Sequence, residues 1–308
     1  MLAEFGIIPD VFDRGSYSSP ELGEVCLAQL LEVCREEAVV RDFCNGRWSE
    51  VLAQPAERWH TATKEVIEIL YKERRLHRTA QYLPKMPEDD AEWYYEASAS
   101  NEKMPLDMIL AGSPASLGCA DDPAVTPITK LNRSVWWQNR SFSMQVERQT
   151  SEYLKFLRPI LRRASSFMFV DPHIDEEKPN YAEFCHLIRE LGRPGTRPRI
   201  EIHIWQGKEL SSIADLMKRL QNCNRELVKS RIEASVYSWP INFHDRYLIT
   251  DLVGLQLPYG FDIATNNVKE TTWGRLGRRD REAIELRFAP NVGRYGIPKS
   301  FTIGTAAA

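Results

Sequence analysis

The chain has 308 residues, 43% of them hydrophobic and 27% charged, with a net charge of −3, a balance that suits a globular protein of one large domain or two modest ones. Near-neutral charge gives no bulk electrostatic footprint of a nucleic-acid binder, and no apolar run reaches the ~18–20 residues needed to cross a bilayer. Six cysteines without a Cys-x-x-Cys pair argue against a disulfide scaffold or a zinc site. Met1-Leu2-Ala3-Glu4 lacks the basic start and apolar stretch of a signal peptide. The expectation is a reduced, cytoplasmic protein without metal, cofactor or membrane span.

Residues 1–135 read as a mainly helical region with no assignable role. Glu21–Glu37 carries Leu22, Val25, Cys26, Leu30 and Val33 at helical spacing, and Thr63–Leu76 reads as a second helix. From Pro84 to Pro127, prolines, glycines and acidic residues break the period around the aromatic cluster Trp93–Tyr94–Tyr95. Ser113–Pro127 reads as a loop or linker. Trp136–Trp137 is expected to be a packing anchor rather than a base-stacking platform.

A second domain is expected over 136–308, where helix and strand alternate. Val146, Thr150, Tyr153, Leu157 and Leu161 suggest one helical face, kinked at Pro159. Phe167–Val170 reads as a buried strand ending in Asp171–Pro172–His173–Ile174–Asp175. Asn180 with Glu183 suggests a capping box opening a helix to Leu191, stopped by Gly192 and an Arg193–Pro194–Gly195 turn. Ile200, Ile202 and Ile204 alternate in a strand; Ile213, Leu216, Met217 and Leu220 mark a helix; Ile232–Tyr237 and Ile241–Thr250 read as strands. That order predicts an α/β fold, a mixed sheet with helices on its faces.

The most informative stretch is Phe243–His244–Asp245–Arg246–Tyr247–Leu248–Ile249–Thr250–Asp251. In a strand, His244 and Arg246 would share a face about 6–7 Å apart and could reach one phosphate. A neutral imidazole can attack phosphorus, and a guanidinium can hold two non-bridging oxygens. Asp251 has the wrong parity for that face and joins only if the strand ends there, as Asp251–Leu252–Val253–Gly254 suggests. Taken alone the motif is short, and the plainer reading is a structural histidine beside a surface arginine.

The spacing His-x-Arg-x4-Asp resembles the His-x-Lys-x4-Asp signature of the phospholipase D superfamily, with Arg246 in the lysine position. The order of elements from about Ser143 to Phe288 is similar to that family's half-domain. Gly260–Phe261–Asp262 falls roughly where the family has a Gly-Ser-x-Asn-like turn against phosphate. It places a carboxylate where an amide is expected, which is unfavourable beside an anion unless protonated or paired. His173, just past a strand, can line a site at that sheet end; Asp-Pro-His is also ordinary turn chemistry, and that reading is preferred. His203, sharing a face with Glu201 and Trp205, reads as structural. Arg275, Arg278, Arg279, Arg281 and Arg287 could track a nucleic-acid backbone, but Asp280, Glu282 and Glu285 among them favour a solvated helix face.

The resemblance implies a phospholipase D-like domain and a metal-independent phosphodiesterase, foremost a nuclease. His244 would be the nucleophile, Arg246 the phosphate clamp and Asp251 the residue that orients the imidazole, with Gly260, Asp262 and His173 lining the substrate. A single motif implies a homodimer in which each subunit supplies half the site. The alternative is an inactive module of the same fold that binds nucleic acid or another phosphorylated ligand, alone or as a subunit of a larger assembly.

Overall fold

The structure is a computed structural model that describes residues 2–192, 197–207, 211–265 and 269–305. The Arg193–Pro194–Gly195 turn lies outside the described residues. The chain divides into two compact units, Met1–Arg140 and Ser141–Ala308.

In the N-terminal unit the chain runs β1 (Ala3–Ile7), α1 (Pro20–Glu37), β2 (Ala38–Asp42), α2 (Phe43–Ala53), α3 (Thr63–Lys72), β3 (Leu76–Arg78), α4 (Asp90–Lys103), β4 (Met108–Ala111), β5 (Val125–Pro127) and α5 (Val135–Asn139). The two expected helices are α1 and α3, although the second, expected to reach Leu76, ends at Lys72 and Leu76 opens β3. Ser19 opens α1, its side chain accepting from Leu22 N, and Pro20 stands in its first turn. Helices account for most of the regular structure, but they flank a five-stranded sheet that sequence periodicity did not reveal. Its order is β3-β2-β1-β4-β5 and every pairing is parallel.

Two physical causes hid this sheet. β2 follows α1 directly at Glu37–Ala38, so the helical period of α1 runs into it, and the turn that ends it falls at left-handed Cys44, Asn45 and Gly46 within the range of α2. In addition, Glu4 and Arg41 interrupt the apolar runs of β1 and β2 yet are buried. Glu4 Oε1 meets Arg41 Nε at 3.0 Å and His77 Nδ1 at 2.6 Å. Arg41 Nη1 donates to Ser100 Oγ at 2.8 Å and to the Met104 carbonyl at 2.8 Å. A charge buried with its partners leaves no apolar signal in the sequence. Trp136 is half-buried and meets Phe5 edge-on at 4.9 Å, a packing contact.

In the C-terminal unit the elements are β6 (Ser143–Glu147), α6 (Thr150–Leu161), β7 (Ser166–Val170), α7 (Phe184–Arg189), β8 (Arg199–Trp205), α8 (Ile213–Arg219), α9 (Gln221–Ser230), β9 (Ala234–Trp239), β10 (Tyr247–Thr250), β11 (Gly254–Gln256), β12 (Glu270–Leu276), α10 (Arg278–Arg287) and β13 (Lys299–Ile303). They form the expected mixed α/β arrangement. One eight-stranded sheet has the order β13-β9-β8-β7-β10-β11-β12-β6. β7, β8 and β9 are parallel to one another, and the remaining pairings are antiparallel. Ile200, Ile202 and Ile204 of β8 are all buried, as their alternation requires.

Three local expectations change. Val146 lies in β6, not on the α6 face, because its segment pairs with β12, Thr271 opposite Val146. No capping box forms at Asn180: α7 starts at Phe184, and Glu183 makes no side-chain cap. The capping box is at Ser212 and Asp215, opening α8. The strand expected from Ile241 begins only at Tyr247, so His244 and Arg246 precede β10 rather than lie in it.

Candidate functional site

The register of two strands positions the site. β7 and β10 run antiparallel with Tyr247 opposite Val170. The residues leaving β7 (Asp171–Pro172–His173) and those entering β10 (His244–Asp245–Arg246) therefore emerge at one end of the sheet. That end is also where the parallel strands β7, β8 and β9 finish, the usual place for a ligand in an open α/β sheet.

His244 is exposed, but its neighbours are anchored. Phe243 is buried and packs its ring 5.1 Å from Phe288 and 5.4 Å from Tyr295. Asp245 Oδ2 accepts from Arg287 Nη1 at 3.1 Å and from the Tyr295 hydroxyl at 2.9 Å, and its Oδ1 accepts from the Tyr247 hydroxyl at 3.2 Å. An irregular segment is thus pinned on both sides of the imidazole. Arg287, one of the arginines weighed as a nucleic-acid contact, holds Asp245.

Arg246 leans on the buried carboxylate of Asp171. Its Nε lies 3.6 Å from Asp171 Oδ1, is buried, and makes no hydrogen bond; its Nη1 donates to the Pro258 carbonyl. Asp171 itself accepts from His173 N at 3.0 Å, the Tyr181 hydroxyl at 2.9 Å and Phe261 N at 3.2 Å. Burial pushes its carboxyl up to about 6, against the pull of these donors and of Arg246. Gly260 makes this approach possible. It sits at φ +66, and a Cβ there would lie 1.8 Å from Asp171 Oδ2 and 2.9 Å from Arg246 Cδ.

His173 is half-buried at the same end. Burial lowers its proton affinity, and the electrostatic influence of Arg246, Lys178 and His244 lowers it further.

One expected site residue is not brought to this constellation, and another is near it but taken up by a different partner. Asp251 lies at the far end of β10, about 13 Å of extended strand away from the His244 end at ~3.3 Å per residue. Its Oδ1 accepts from Ser165 N at 3.0 Å and its Oδ2 from the Ser165 hydroxyl at 2.5 Å, so it ties the start of β7 to the end of β10. Because the two strands are antiparallel, the group next to Asp251 is the beginning of β7, not its end. Asp262 is near but already engaged. Arg148 donates to it through Nε at 3.2 Å and Nη2 at 2.8 Å, and Arg148 in turn lies over the Tyr259 ring at 4.3 Å. The carboxylate that stands where an amide is expected is therefore paired. Burial still raises its proton affinity, with Arg148 opposing.

Sequence reasoning missed Tyr181 and Arg148, which position Asp171 and Asp262. Neither has a signal in its own segment, because each acts on a residue outside it. Asp171 was visible only as a strand-end acid. His203 is structural as expected: fully buried, it accepts from Trp239 Nε1 at 3.2 Å and stacks on Trp239 at 5.9 Å. Among the described residues no group of three or more His, Cys, Asp or Glu is arranged to hold a metal ion, and no helix is long and apolar enough to cross a membrane.

No protein-family model matches the sequence, and no curated protein matches it. Among solved structures the chain is similar to polyphosphate kinase from Porphyromonas gingivalis, at 11% identity over 48% of this chain and TM-score 0.34. It spans a quarter of that protein's length, 25%. It is also similar to TrmBL2, an archaeal chromatin protein (12% identity, 80% of this chain and 84% of the other, TM-score 0.29). A third similarity is to phosphatidylserine synthase from Haemophilus influenzae Rd KW20 (10% identity, 89% and 85% covered, TM-score 0.30).

Proposed function

We propose that the Ser141–Ala308 unit is a phospholipase D-like domain that cleaves phosphodiesters through a histidine nucleophile without a metal, with nucleic acid as the foremost substrate class. The observation that carries the reading is the convergence of His244, Arg246 and His173 at one sheet end. The exposed imidazole of His244 attacks phosphorus as the neutral ring. A nitrogen–phosphorus bond forms, the phosphorus–oxygen bond to the leaving group breaks, and that oxygen takes a proton; water then releases the phosphoryl group from the ring. Arg246 supplies the positive charge that holds the non-bridging oxygens. In single-motif relatives of the resembled family, the proton donor is a histidine of a second subunit, which makes a homodimer the first arrangement to consider.

The reading predicts hydrolysis of single-stranded nucleic acid or a simple diester in the presence of a chelator, with a phosphorylated His244 recoverable by rapid quench and mass spectrometry. H244A should lose nearly all cleavage while retaining phosphate ligands. R246A should weaken binding itself, by about 1.5–3 kcal/mol for a lost charge-assisted hydrogen bond. Chelator inhibition reversed by magnesium or manganese would reject the histidine mechanism.

A second reading, an inactive module binding phosphorylated ligands, is favoured by one feature: the Pro258 carbonyl and Asp171 already engage Arg246. Phosphate binding without hydrolysis of any diester would select it.

A further inference from the structure

The proposed reaction, on which this inference rests, needs a second proton-carrying group, because the oxygen leaving phosphorus must be protonated as the nitrogen–phosphorus bond forms. His173 leaves β7 at the same sheet end at which His244 and Arg246 enter β10. Its backbone N–H donates to Asp171 Oδ1 at 3.0 Å, and the same oxygen lies 3.6 Å from Arg246 Nε. One buried carboxylate oxygen thus holds the His173 backbone and the Arg246 guanidinium side by side. His244 enters the same sheet end two residues before Arg246, since Val170 and Tyr247 are opposite one another. Arg246, Lys178 and His244 act electrostatically on the His173 ring, and Asp171 holds its backbone.

We infer that His173 is the second imidazole of this site, so that one chain supplies both the nitrogen that attacks phosphorus and the nitrogen that gives and retrieves the leaving-group proton. In the first step His244 bonds to phosphorus as His173 passes its proton to the departing oxygen. In the second, His173 takes a proton from water while the water oxygen bonds to phosphorus and the bond to His244 breaks. The sum is one water consumed per diester, with both rings returned to their starting forms. Burial, with the nearby cations Arg246 and Lys178, lowers the proton affinity of His173, which favours giving up its proton in the first step. A bound phosphodiester sets negative charge among those cations and raises the proton affinity of the ring, so that it is charged for the first step.

The test uses full-length H173N, H173A and H244N against a single-stranded oligonucleotide and bis(p-nitrophenyl) phosphate, with chelator present. The nitrophenyl leaving group departs without a proton. H173N should therefore lose on the order of 10²–10⁴-fold on the oligonucleotide and far less on the nitrophenyl diester. Added imidazole should restore part of the H173A rate on the oligonucleotide. An equal mixture of H173N and H244N should stay as inactive as its parts, because neither chain has a complete site. Equal losses on both diesters without imidazole rescue would mean a structural role and overturn the inference, as would full activity of H173N. Activity regained on mixing would place the second imidazole in another subunit, also overturning it. Wild-type protein that cleaves neither diester would instead remove the phosphodiesterase reading, and this inference with it.

Discussion

Each unit of this protein places a buried aspartate just past the end of a central parallel strand, Asp10 after β1 and Asp171 after β7. Burial raises both carboxyls to about 6. Their partners differ. Asp10 accepts from the backbone of Gly112 and Ser113, each at 2.8 Å, which closes the end of β4 onto the end of β1. Asp171 also accepts backbone and hydroxyl donors, but Arg246 lies against it with His173 and His244 close by. The same kind of strand-end acid ties two strand ends together in one unit and lies against Arg246 in the other. In the proposed reading, it is the arginine delivered by the neighbouring strand that sets the second acid apart.

The largest expected separation between the two comes from removing each carboxylate. D171A strands the Arg246 charge together with the His173 and Phe261 N–H groups and the Tyr181 hydroxyl and should cost about 3–5 kcal/mol. It should also change phosphate affinity, since Arg246 loses its counter-charge. D10A orphans two backbone N–H groups, at ~1–3 kcal/mol each, and should leave diester cleavage per folded molecule unchanged. Urea unfolding followed by phosphate titration measures both. Altered cleavage in D10A would erase the proposed division of roles.

Next in size is a pH effect shared by the two acids. Their folded proton affinities lie above the unfolded value of 3.8, so the folded state binds protons more tightly. Each therefore contributes stability that is fully present below pH ~4 and is lost as pH rises through ~6, by roughly 3 kcal/mol per group. The difference in stability between wild type and D171N, or D10N, should vary across that window and be flat above pH ~7. A flat difference throughout would mean that the carboxyl is not desolvated.

The smallest effect concerns the motif aspartate. D251N should weaken the Ser165 tie by about 1 kcal/mol, and cleavage per folded molecule should change little. A loss approaching that of H244A would return Asp251 to the chemistry. Thermal melts beside turnover assays decide it.

Much of the C-terminal unit was legible because its signals are local. Isoleucines at every second position fix β8 as buried on the strand period, and the His-x-Arg spacing fixes which cations travel together into the site. The limits of β10 were not legible, because hydrogen bonding to β7 and β11 determines where extended chain becomes strand. His203 could be read as structural from its strand face alone.

Sequence by itself determined the α/β class of the C-terminal unit and that His244 and Arg246 enter β10 together, since both follow from spacing along a few residues. Tertiary structure decided the rest. Antiparallel pairing of β7 with β10 carried His173 to His244 and Asp251 away from it, and a contact across more than a hundred residues gave Asp262 to Arg148. The parallel sheet of the N-terminal unit likewise depends on a buried Glu4–Arg41–His77 network. Its charges balance only when three strands lie side by side, so no single segment announces it.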